Sequence, residues 1–167
     1  MPPDRSRRDH VDELMEQWAR ERPDLDLGPM ATFGRYGRLA AHATRAIGSV
    51  FDEHGLHSGE FDVLAALRRS GDPFVMTPTA LARVLMLSPG GMTNRLDRLE
   101  GAGPIARRPD PDDRRSSLVV LTPAGRELVD LVVTEHLANE ARLLEPLSAA
   151  ERAAFDRALR KLLAQFE

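Results

Sequence analysis

The sequence predicts a mainly helical (α+β) fold, a winged helix-turn-helix carried between helices from both ends of the chain. Three observations predict it. Thr77-Pro78 and Ser88-Pro89 give two closely spaced helix starts of the same kind. Two short β-prone runs follow them, Ile105–Arg108 and Ser116–Leu121. Longer stretches with helical apolar periodicity lie on either side.

The elements follow in order. Val11, Leu14, Met15 and Trp18 fall on one face of a short helix, which Arg22-Pro23 and the stretch up to Pro29 break. A longer pattern through Phe33, Tyr36, Leu39, Ala43, Ile47 and Phe51 runs to Gly55, a helix-ending residue. Ser58 is expected to cap a third helix through Phe61, Leu64 and Leu67. Thr77 and Ser88 cap the two short helices, each with proline at the first helical position, and Gly101 and Gly103 stop the second. The hairpin turn, Pro109 to Arg115, is rich in proline, aspartate and arginine. Thr122-Pro123 opens a long helix to about Leu144. Ser148 and Glu151 form a capping box for the last one, expected to bury Phe155, Leu159, Leu162, Leu163 and Phe166.

A chain of 167 residues is long enough for one domain with its own core. The expected organisation is a single domain, residues 1–167. Residues 55–122 form the helix-turn-helix and wing, and residues 1–54 and 123–167 the flanking helices. There is no cysteine, which removes disulfides, thiolate metal sites and cysteine nucleophiles. No apolar run approaches the ~20 residues of a membrane span, and Met1 to Asp9 has no apolar core of a secretory signal. The expected location is the cytoplasm.

The net charge of −3 does not favour a polyanionic partner. Its distribution is more telling. Residues 77–117 carry seven basic and five acidic side chains, while both flanks are net acidic. All basic residues but Lys161 are arginine, whose planar fork suits phosphates and base edges, although a bias toward GC-rich codons produces the same excess.

Ser88 to Leu99 is the most informative segment. Its first turn, with Gly90 and Gly91, is small and polar, so a DNA backbone can approach it. A helix N-terminus also offers free N–H groups and positive dipole character to phosphates. Thr93, Asn94 and Arg95 can reach base edges or phosphates; asparagine pairs well with adenine and arginine with guanine. The expected DNA-contacting set is Thr77, Ser88, Gly90, Thr93, Asn94, Arg95, Arg98 and the wing-tip Arg114 and Arg115. Arginine at a wing tip fits a narrow minor groove. Arg107 and Arg108 alternate faces on their strand and cannot share one task. Read without DNA, the same segment is an ordinary capped helix and the wing a solvated charged turn.

Thr77 to Gly125 resembles the MarR family of regulators. The resemblance is carried by Leu81-Ala82, Ser88 to Glu100, Arg107 to Arg115 with its Asp-Arg-Arg wing, and Leu121-Thr122-Pro123-Ala124-Gly125-Arg126. It extends over nearly the whole chain and departs at Pro104, where the family usually has leucine. It implies a homodimer held by the N- and C-terminal helices. It also implies two recognition helices in successive major grooves of a pseudo-palindromic operator, with half-sites about 10 bp apart.

The chain is further similar to the urate-responsive branch of that family, which has an added N-terminal helix. The matching positions are Trp18, Asp62, Arg95 and Arg107. The branch uses them for the ligand or for relaying its binding. Urate is a flat anion: arginine pairs with its charge and tryptophan packs against its ring. Asp62, between Phe61 and Val63-Leu64, is expected to be part-buried and to pair with Arg95 or Arg107. Xanthine-like purines, tricarboxylates and phenolics are the other effectors this resemblance allows. The bland reading makes Trp18 a packing anchor and Asp62 half of a structural ion pair.

Three rivals are weaker. His54 and His57, near Asp52 and Glu53, suggest a metal-responsive regulator, but Gly55 lies between them. His10, His42 and His136 accompany no nucleophile motif or Gly-rich phosphate loop, so no catalytic residue is expected. A winged helix serving protein contacts alone would be expected to lack the wing arginines. No cofactor or metal is expected, only a small-molecule effector.

Overall fold

The structure, a computed structural model, describes residues 8–112 and 117–166. In chain order the elements are α1 (His10–Glu21), α2 (Gly28–Glu53), α3 (Ser58–Arg69), β1 (Val75–Met76), α4 (Pro78–Val84), α5 (Pro89–Ala102), β2 (Ile105–Pro109), β3 (Ser117–Leu121), α6 (Pro123–Leu143) and α7 (Ala149–Leu163). They form two compact units, one reaching to Arg45 and one starting at Ala46.

In the first unit, Asp9 caps α1 by accepting from the Val11 and Asp12 N–H groups, and the Asp12 carboxylate accepts from the Asp9 N–H. Val11 is buried where Gly34 of α2 leaves room for it. The Arg35 guanidinium closes the pair through Asp9 at 2.7 Å and Asp12 at 2.5 Å. α2 starts at Gly28, before the apolar pattern that predicts it, because Pro29 fits a first helical turn as well as a break. Leu14, Trp18, Phe33, Tyr36 and Leu39 remain exposed.

The second unit holds the core. Phe51 from the end of α2 stacks on Phe61 of α3. Around them are buried Leu64, Leu67, Leu81, Met92, Leu96, Leu99, Ile105, Val119, Val129 and Val132. The apolar spacing of α3, α4, α5 and α6 therefore converges on one centre, as amphipathic helices require. The hydroxyls of Thr77, Ser88 and Thr122 each accept from the N–H three residues on, at 3.1, 3.2 and 3.0 Å. Gly103 ends α5 at φ 97°, a left-handed conformation that glycine adopts without a Cβ penalty.

The hairpin is as predicted, with β2 reaching Pro109 and antiparallel to β3 from Ile105↔Leu121 to Pro109↔Ser117. The sheet has a third strand that the sequence reading lacks. β1 pairs with β3 through Val75↔Val120 and Met76↔Val119, giving the order β1-β3-β2. Two residues are too few to show alternation. Pro104 is accommodated: it is buried, needs to donate no hydrogen bond there, and its carbonyl accepts from the Thr122 N–H and hydroxyl.

Two expectations need correcting. Ser58 is the first residue inside α3, and the residue before it, His57, holds the cap position: the Glu60 carboxylate accepts from the His57 N–H at 2.9 Å. The last helix forms at its Ser148–Glu151 box, but α7 buries nothing. Phe155, Leu162, Leu163 and Phe166 are exposed and Leu159 is half-buried, because the core of the second unit is completed by Val129 and Val132 of α6 and takes no side chain from α7. Among the described residues no helix is long and apolar enough to cross a membrane.

Candidate nucleic-acid interface and effector site

The second short helix of the helix-turn-helix, α5, has two kinds of surface. Met92, Leu96 and Leu99 fix its inner face in the core. Its charged residues are tied to the scaffold. Arg107 of β2 reaches Asp97 at 2.7 Å and Glu100 at 3.4 Å, and its N–H donates to Glu100 at 2.9 Å. Arg98 pairs through Nε with Glu60 at 2.6 Å. Arg95 is half-buried, donates to the Gly91 carbonyl at 3.1 Å, and lies on Gly59 so closely that a Cβ there would overlap its guanidinium.

Beyond the exposed but ion-paired Asp97 and Arg98, the outward surface is the first turn and a half. Ser88, Gly90, Thr93 and Asn94 are exposed. The Thr93 hydroxyl donates to the Pro89 carbonyl. The Asn94 amide has no protein hydrogen bond among the described residues, so its donor and acceptor are both available to a base edge. Thr77 is half-buried and spends one hydroxyl lone pair on its cap. Arg114 and Arg115 lie outside the described residues. Arg108 points outward, on the opposite face from Arg107, as strand alternation requires.

Met86 is a feature the sequence reading missed. It sits in the turn between α4 and α5 at φ 52° and is 93% exposed. A non-glycine residue in this conformation gives no local signal in composition or periodicity.

The expected effector residues are not gathered by ion pairs. Trp18 is on the exposed side of α1, in the first unit. Asp62 is exposed on α3 and forms no ion pair among the described residues; Arg107 is spent on α5, and Arg95 on Gly91. The expected Asp62–arginine pair is therefore absent. The flanking protein still desolvates the Asp62 carboxyl enough to raise its pKa, against the opposing fields of Arg69, Arg95 and His136.

The fully buried acid on this helix is instead Glu60, at 4% exposure. Its signal was its place three residues after the true cap. His136 packs against the Phe51 and Phe61 rings, 5.2 and 5.3 Å between centroids, and its buried Nδ1 has no partner among the described residues. An open groove of about 490 Å³ is lined by Phe74, Leu121, Thr122, Pro123, Arg126, Glu127 and Asp130, none of them an expected effector residue. His54 pairs with Glu135 at 2.6 Å and His57 faces Asp52 at 3.9 Å. Among the described residues no three metal-ligating side chains are gathered.

The MarR family model matches residues 54–116, the helix-turn-helix and the start of its wing. The transcriptional regulator PecS of Dickeya dadantii is 42% identical over 142 residues, 85% of this chain and 86% of its own length. The chain belongs to the MarR family. It is a DNA-binding, winged helix-turn-helix transcriptional regulator and not an enzyme. Two solved structures of DNA-binding regulators share its architecture. A mutant MarR of E. coli, complexed with operator DNA, aligns with a TM-score of 0.69 and 25% identity over 93% of this chain and 99% of its own. BpsR of Bordetella bronchiseptica, whose DNA binding is regulated by 6-hydroxynicotinic acid, aligns at 0.68 and 27% over 77% and 90%.

Proposed function

We propose that the protein is a homodimeric repressor that binds a pseudo-palindromic operator in double-stranded DNA through α5 and releases it when a small aromatic anion binds. The observation that carries the DNA half is the outward face of α5. Asn94 and Thr93 are presented unobstructed, while the charged residues behind them are tied to the scaffold. Asn94 reads a base edge; Ser88, Gly90 and Thr93 meet the backbone, with Thr77 at the start of α4 and Arg114 and Arg115 on the wing. Arg95 serves DNA only after leaving its seat on Gly59.

The effector half rests on Trp18, Asp62, Arg95 and Arg107. Urate is the first ligand to test, by similarity to the urate-responsive branch. An anion near Asp62 is attracted by Arg95 and Arg69 and raises the cost of the Asp62 charge, which biases the arrangement of α3 and α5. A xanthine-like purine, a phenolic or a tricarboxylate is the second reading; the 6-hydroxynicotinic acid that regulates BpsR is a flat ring acid and favours only the aromatic members of that set. A metal-responsive regulator finds no support in the separate pairings of His54 and His57. The place of action is the cytoplasm, where the operator is.

The deciding experiment is a binding titration on the DNA upstream of the protein's own gene, with and without urate. Specific, salt-sensitive binding weakened by urate is expected, because phosphate contacts release counterions. Absence of binding sinks the operator reading. Binding that urate leaves unchanged sinks the urate assignment alone.

A further inference from the structure

We infer that Glu60 is a positioning residue for DNA recognition: its buried carboxylate bridges the first turn of α3 to Arg98 and so sets the orientation of α5. This rests on α5 being the recognition helix. Both oxygens are assigned. Oε2 accepts from the His57 N–H at 2.9 Å, and Oε1 pairs with Arg98 Nε at 2.6 Å.

Capping its own helix does not explain the burial. Glu151 has the same place in α7, accepts from the Ser148 N–H at 2.8 Å, and is exposed. A carboxylate taken out of water needs compensation: the cap N–H supplies one hydrogen bond, and Arg98 supplies the opposite charge that the cap does not. The neighbouring contact acts on the same turn, since Arg95 lies flat on Gly59. Two arginines about one helical turn apart on α5 therefore both rest on residues 57–60. The Arg98 side chain is 59% exposed, so its position alone also suits a phosphate contact. The two roles differ in what they do to salt dependence and to sequence discrimination.

The test uses the full-length protein and two duplexes, one selected by the protein from a random pool and one scrambled. Glu60→Gln keeps size and removes charge; Arg98→Gln removes the other partner. If Glu60 positions α5, each variant loses about tenfold on the selected duplex and little on the scrambled one, with the salt slope of wild type. The double variant is then no worse than either single one. Wild-type affinity and discrimination in Glu60→Gln overturn the inference. So does an Arg98→Gln loss that is equal on both duplexes, with a slope lower by about one per protomer, the mark of a lost phosphate contact. Should Glu60→Gln not fold, Arg98→Gln decides on slope and discrimination alone. Asn94→Ala separates the underlying reading: if it keeps full discrimination, α5 is not the reading helix and the inference falls for that reason.

Discussion

Asp62 shows how a single residue can mislead a linear reading. Its neighbours in sequence are apolar, but successive helical residues turn by about 100°. Phe61, Val63, Leu64, Ala66 and Leu67 are buried, while Asp62 falls in the open sector with Ala65 and Arg69. Its folded pKa lies above the unfolded value, so the folded state holds the proton more tightly. Any stability this gives is present below the unfolded pKa and lost as pH rises through the folded one. Asp62→Asn is therefore expected not to lower the melting temperature at neutral pH, and to remove this one group's contribution to its pH dependence in the acidic range. A lower neutral-pH melting temperature would reveal an ion pair that the variant breaks. In the same variant the response of DNA binding to urate is expected to vanish. Asn94 is the other residue-scale case. Asn94→Ala should cost about 1–3 kcal/mol on the selected duplex, leave scrambled DNA unaffected, and relax preference at one base pair.

At the scale of elements, what was legible is what short-range chemistry decides. Thr77-Pro78, Ser88-Pro89, Thr122-Pro123 and the Ser148 box each start a helix where the sequence places it. Elements set by contacts across the chain were not legible. β1 exists because Val75 and Met76 meet β3, and Glu60 is buried because Arg98 arrives from α5. Gly125 belongs to the same class. At the start of α6 it lies so close to the Pro104 carbonyl that any Cβ would collide with backbone, which cannot swing aside. Gly125→Ala is expected to destabilise by about 1–3 kcal/mol in chemical denaturation; a neutral result would mean that α6 can shift freely. Met86 goes the other way. Its left-handed conformation costs about 1 kcal/mol, and its exposed side chain repays nothing in the protomer. Met86→Gly should leave stability unchanged or raise it, and a loss of stability would show that the side chain packs.

At the scale of the whole molecule, the apolar side chains left in water ask for a partner. α7 exposes Phe155, Leu162, Leu163 and Phe166, and α2 exposes Phe33, Tyr36 and Leu39. Soluble monomers rarely carry such stripes without a use. In the proposed homodimer a second copy would supply the missing surface and double the recognition helix, so that one assembly step would answer both the packing and the proposed operator symmetry. Wild type should therefore sediment as a dimer at micromolar concentration. Phe155→Glu with Leu163→Glu should sediment as a monomer with unchanged helix content, since neither residue is buried within the protomer. Its affinity for the selected duplex should fall by about a hundredfold, because the second half-site no longer binds as part of the same molecule. A dimer that survives both charges would place the interface elsewhere. A monomer that keeps wild-type operator affinity would show that one recognition helix suffices.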